Sequence, residues 1–61
     1  MIVVASLWDV DDEATKDLMV KFYENLLKEK QDPTTALRNA KDQLREAGYE
    51  PQDWAGFILI E

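Results

Sequence analysis

From Ile2 to Trp8 the chain is apolar with Ser6 as the one interruption, and Asp9 ends the run. A short stretch of this kind, β-branched at its start, predicts a strand covered on both faces. Beyond Asp9, Asp11, Asp12 and Glu13 the period changes. Leu18, Met19, Phe22, Tyr23, Leu26 and Leu27 recur every three to four residues, which predicts one face of a helix. Lys16, Asp17, Lys21, Glu24, Lys28 and Glu29 fill its opposite side. Asp11 or Asp12 is placed to cap this helix, and the acids around them suit the positive end of its dipole. A second helix is signalled by Asp32 as cap and Pro33 at the first helical position. Ala36, Leu37, Ala40, Leu44 and Ala47 give it a narrow stripe of small side chains, and Gly48 supplies its left-handed end. Tyr49 to Asp53 reads as a turn containing Pro51. Trp54 to Ile60 reads as a second strand, in which Gly56 leaves room for a close neighbour.

The predicted order is strand, helix, helix, strand, within one small domain over residues 1–61. If each element reverses the chain, the first strand runs up, the helices down and up, and the last strand down, so the strands should be antiparallel; a single crossover helix would make them parallel. The expected class is therefore α/β, a β-α-α-β unit with both helices packed on one face of two antiparallel strands. Two helices cannot cover both faces of that sheet. The surplus apolar surface predicts either a piece of a larger sheet or self-association through an edge or open face.

Composition narrows the chemistry. The 61 residues include neither histidine nor cysteine, so the chain lacks an imidazole base, a thiol nucleophile, a disulfide and an ordinary zinc site. Thirteen acids against seven bases give a net charge of −6, which argues against binding a nucleic acid backbone. Apolar residues at 46% exclude a disordered segment. The first apolar run is too short to span a membrane, and no basic residue precedes it as in a secretion signal. No membrane association is expected, and the cytoplasm is the default location.

The densest polar feature is the cluster Asp9, Asp11, Asp12 and Glu13. Carboxylates just beyond the carboxyl end of a strand sit where open α/β sheets bind ligands. Helix capping accounts for them more simply, because neither the glycine nor the closing glutamate of a calcium loop is in place. No metal or cofactor is expected. Trp8 and Trp54 flank strands and read as core or lid residues. Ser6 and Thr15 have no base to activate them. Tyr23 and Tyr49 carry no special signal.

The string Val3-Val4-Ala5-Ser6-Leu7-Trp8-Asp9-Val10-Asp11-Asp12-Glu13-Ala14-Thr15 strongly resembles the C-terminal part of CHAT domains, caspase-like modules often joined to TPR repeats. The likeness continues through Leu18-Met19, Phe22-Tyr23, Leu26-Leu27, Ala36-Leu37-Arg38-Asn39-Ala40 and Trp54-Ala55-Gly56-Phe57-Ile58-Leu59-Ile60, essentially the whole chain. The resemblance implies a caspase/separase-type fold whose central sheet ends with one strand antiparallel to its neighbour, in agreement with the reversal count. It also implies a His/Cys peptidase dyad lying upstream of the matched region and absent from this sequence. The segment from Leu7 to Asp12 further resembles the separase loop that lines the pocket for a basic residue. By that likeness Asp9 or Asp12 would accept Arg or Lys, with Trp8 as a wall.

The expected function is that of a non-catalytic C-terminal fragment of a CHAT-like domain, a structural or self-associating unit with no catalytic residue of its own. Its partners would be a second copy or the missing N-terminal part of the domain. One alternative is the small-subunit-like half of a cysteine peptidase whose dyad sits on another chain. Another is an acidic protein-interaction module, natural or engineered, for a basic partner.

Overall fold

A computed structural model describes residues 3–60. Strand β1 (Val3–Ser6) is followed by helices α1 (Asp12–Leu27), α2 (Pro33–Glu46) and α3 (Pro51–Trp54), and strand β2 (Phe57–Ile60) closes the chain. The strands form a two-stranded antiparallel sheet, with Val3 opposite Ile60, Val4 opposite Leu59, Ala5 opposite Ile58 and Ser6 opposite Phe57. The fold is mixed α/β in the order the periodicities predict. Both strands are shorter than expected: β1 ends at Ser6 and β2 begins at Phe57. The expected start of the first strand at Ile2 lies outside the described residues. Leu7 still donates its N–H to the Gly56 carbonyl at 2.8 Å, one step past the ladder. Trp54 belongs to α3 rather than to β2.

Local chemistry explains each helix end. Asp11, not Asp12, caps α1, its carboxylate accepting the Glu13 N–H at 3.1 Å. Asp32 caps α2 through two bonds from Thr35, the hydroxyl at 2.8 Å and the backbone N–H at 3.2 Å. These bonds, the hydroxyl's foremost, hold the Asp32 carboxyl below its ordinary pKa of 3.8. A carboxylate with a lowered folded pKa stabilises fully above its unfolded value, and its contribution fades as pH falls through the lowered one. At the other end of α2, Gly48 has φ of 99°. It donates to the Arg45 carbonyl at 3.1 Å while Tyr49 donates to that of Leu44 at 3.1 Å, the paired bonds of a Schellman end. In the segment expected to be a plain turn, the Asp53 carboxylate accepts the Glu50 N–H at 3.2 Å, and Pro51 starts one helical turn.

Alternation along the strands sends Val4, Phe57 and Leu59 toward the helices, where Phe57 joins the core and the other two pack against it. The core is Leu18 and Phe22 of α1, Ala36, Leu37, Ala40 and Leu44 of α2, and Phe57. Leu18 and Leu44 are its largest fully enclosed side chains. The alanines of α2 let the helix lie close to α1, although Ala47, expected in the same stripe, is exposed. Asn25 is the buried polar residue among those described, 4% exposed. Its Nδ2 donates to the Ala36 carbonyl at 3.1 Å and to Gln43 Oε1 at 3.2 Å, tying α1 to α2 across the core. A buried amide without partners would cost about 1–3 kcal/mol, so these two bonds also fix how the helices pair.

On the other side of the sheet nothing covers Val3, Ala5, Ile58 and Ile60 among the described residues. Val3 and Ile60 remain 44% and 48% exposed, so this face is open to solvent. A second apolar strip, Val20, Tyr23 and Leu27, runs along the outer side of α1. Tyr23 and Leu27 therefore fall outside the buried face that periodicity assigned them. The open surface does not come from loose packing. The radius of gyration is 10.5 Å, and about 10.5 Å is expected for a compact domain of this length.

Candidate functional site

The loop between β1 and α1 leaves the sheet where Ser6 faces Phe57, so it lies beside the segment that enters β2. Trp8 fixes it there. The indole lies against Gly56 so closely that a Cβ at that position would stand 2.7 Å from ring atoms Cε2 and Cζ2. Trp8 Nε1 donates to the Gln52 carbonyl at 2.8 Å. The room that Gly56 signals in the sequence is thus filled by Trp8, which is 45% exposed and works as a lid rather than a core residue. Trp54 is half-buried against the core, its Nε1 donating to the Tyr49 carbonyl at 3.4 Å.

Asp9, Asp11 and Asp12 are exposed along this loop and at the start of α1. Asp11 is occupied as a cap. No side-chain hydrogen bond or ion pair engages Asp9 or Asp12 among the described residues. The fold therefore places Trp8 and Asp9 in this loop and Asp12 at the first position of α1. Two grooves lie elsewhere, and none of the three lines either. A polar cleft of about 560 Å³ separates the end of α1 from α2, with Glu24, Glu29, Asp42 and Glu46 on its walls. An apolar groove of about 360 Å³ runs between α2 and β2. Among the described residues no group of three or more His, Cys, Asp or Glu side chains is arranged to hold a metal ion. No helix there is long and apolar enough to cross a membrane.

Tyr49 has a role that its sequence position does not announce. Its hydroxyl donates to the Asp17 carboxylate, joining the segment after α2 to the first half of α1. That bond, reinforced by burial and by the charge of Asp17, pushes the phenol up to about 12. The Schellman end is what delivers Tyr49 to this point. A group whose folded pKa is raised contributes fully below its unfolded value of 10 and loses that contribution as pH climbs through 12. Urea titrations of the native chain and of Tyr49→Phe should therefore differ by a constant amount up to pH 10. The gap should shrink between pH 10 and 12; a gap that stays constant or widens there would place the hydroxyl elsewhere.

The family model described as CHAT domain matches residues 2–61. No curated protein and no solved structure matches the chain.

Proposed function

The chain belongs to the CHAT-domain family, and from that membership we propose that it is the non-catalytic C-terminal part of such a caspase-like domain, a structural unit completed by another sheet surface. One observation carries this reading. The sheet is covered by helices on one face and presents Val3, Ala5, Ile58 and Ile60 on the other. Apolar area exposed in a row on a folded sheet is a surface for partnering, since each square ångström buried there gains about 25 cal/mol. Alone, the chain would cover this face with a second copy; within a longer protein, the preceding part of the domain would do so. Catalysis is not assigned to the chain, because it supplies no imidazole or thiol. The cytoplasm remains the proposed location.

Sedimentation velocity over a series of concentrations tests this proposal. The expected result is a monomer–dimer equilibrium that moves to monomer in the Ile58→Lys/Ile60→Lys double variant, with helical content unchanged. A chain that stays monomeric throughout the series would overturn the self-association.

A second reading is favoured by the rigid seat of Trp8. An indole held by Gln52 and Gly56, with much of its surface open and Asp9 next to it, is a suitable wall and anion for a guanidinium or ammonium group. The chain would then form the small-subunit-like half of a cysteine peptidase whose His and Cys lie on another polypeptide. In a reconstituted mixture with such a fragment, cleavage after arginine should fall when Asp9→Asn and Asp12→Asn are combined. Unchanged cleavage would remove the pocket role from both residues.

A further inference from the structure

The groove between α2 and β2 combines an apolar lining, an unpaired strand edge and a local excess of positive charge. Leu37, Arg38 and Lys41 form one wall, spaced along a single face of α2, and Phe57, Ile58 and Leu59 form the other. No residue of β1 lines it, so it follows the outer edge of β2, away from the strand's one partner. The ladder also shows which backbone groups face that edge. Gly56 gives its carbonyl to Leu7 on the β1 side. Alternation of hydrogen-bonded and free positions then turns Ile58 and Ile60 toward β1, leaving the N–H and C=O groups of Phe57 and Leu59 directed into the groove. The chain carries a net −6, yet the two ionic side chains on this groove are Arg38 and Lys41. Neither makes an ion pair within 4.0 Å among the described residues, where Arg45 pairs with Asp42 at 3.6 Å.

We propose that this groove docks an extended acidic segment of a partner protein, which adds to the outer edge of β2 as a third strand and sets carboxylates against Arg38 and Lys41. Backbone pairing with Phe57 and Leu59 supplies the attachment. Side chains of alternate residues enter between α2 and β2; an apolar one fits against Leu37 and Phe57, and an acidic one reaches the cations at the rim. Selectivity comes from the contrast between this basic rim and the acidic remainder of the molecule: an acidic segment is attracted here and repelled elsewhere, and a basic one is repelled here. A second copy of the chain is disfavoured as occupant, because a symmetric approach of two β2 edges would bring both pairs of cations together. The proposal does not rest on the open sheet face: the groove shares Ile58 with that face but not Val3, Ala5 or Ile60, and its attachment is the backbone of Phe57 and Leu59.

The probes are fluorescein-labelled octapeptides of alternating valine and glutamate, alternating valine and lysine, and a third with the acidic sequence but proline in place of valine, which cannot pair with a strand edge. Anisotropy against the 61-residue chain should show binding of the first alone, weakening at least about tenfold in the Arg38→Glu/Lys41→Glu variant and with rising salt. Amide NMR shifts of the unsubstituted chain provide a readout that does not depend on how the variant folds: the acidic peptide should move Phe57 and Leu59 most. Equal binding of the acidic and basic peptides, equal binding of the proline peptide, or shifts centred away from β2 would each overturn the proposal. A double variant that changes the sedimentation of the chain alone would assign the groove to a second copy and overturn it likewise.

Discussion

Leu44→Ala should leave the chain largely unfolded at room temperature, and urea titration followed by far-UV circular dichroism is the measurement that shows it. Leu44 has no exposed surface and belongs to a core of seven side chains. Two of the others, Ala36 and Ala40, are already alanine, so the neighbourhood has few atoms able to move into the space. Truncating an enclosed leucine costs about 2–5 kcal/mol, the upper part of that range where the cavity cannot collapse. A chain of 61 residues has in total only about 3–9 kcal/mol of stability to lose. Leu27→Ala is the matched control. Leu27 is 71% exposed on α1, so the same atoms removed there should shift stability by no more than about 0.5 kcal/mol. Equal midpoints for the two variants would mean that the core does not lie where the structure puts it.

Gly56→Ala is the second large effect, with an expected cost of about 1–3 kcal/mol from overpacking. The new methyl group would meet the Trp8 ring at 2.7 Å, so the ring has to leave. Leaving breaks its bond to the Gln52 carbonyl and moves the indole further into solvent. Emission from Trp8, measured with Trp54→Phe in the background, should move to the red. A mutant cycle isolates the cause: in a Trp8→Ala background the same Gly56→Ala change should cost little, because the colliding atoms are gone. A penalty that persists without the indole would instead implicate the backbone of the segment entering β2.

Much of this architecture is written locally. Asp32-Pro33 and Gly48 mark the two ends of α2 because capping bonds and a left-handed residue act within one turn of the positions that encode them. The antiparallel pairing follows from a count of reversals over the two long helices, α1 and α2, the one-turn α3 lying in the segment that reads as a turn. Features set by partners distant in the chain are less legible. Trp8 and Gly56 lie near opposite ends of the sequence; the glycine shows that something comes close, and only the fold shows what. Nothing in the segment Glu24-Asn25-Leu26 marks the amide as a core group, yet Asn25 is buried because Ala36 and Gln43 of another helix satisfy it. Tyr23 and Leu27 keep helical periodicity and are still exposed, since a 16-residue helix covers the core only where α2 and the sheet lie beneath it. The strand ends differ from expectation for a related reason. Leu7, Trp8 and Trp54 are apolar enough to extend a strand, but the indoles have polar partners, Gln52 and Tyr49, that draw them out of the ladder. The candidate site stands between these cases. Trp8 and Asp9 share the loop after β1 and Asp12 opens α1, whereas the groove beside β2 depends on α2 and β2 meeting and has no signature in either segment alone.

The register that sets Val3 against Ile60 has a further consequence. Cα atoms of directly opposed residues in such a ladder lie about 4.5–5.5 Å apart, so polypeptide attached at either extremity departs from neighbouring points. The unit can therefore be threaded into a surface turn of a host protein, entering and returning through one doorway, without stretching the host. It also means that a bridge of a few glycines joining the extremities would make a ring with little strain, and would remove from the unfolded ensemble the entropy now spent in bringing distant strands together.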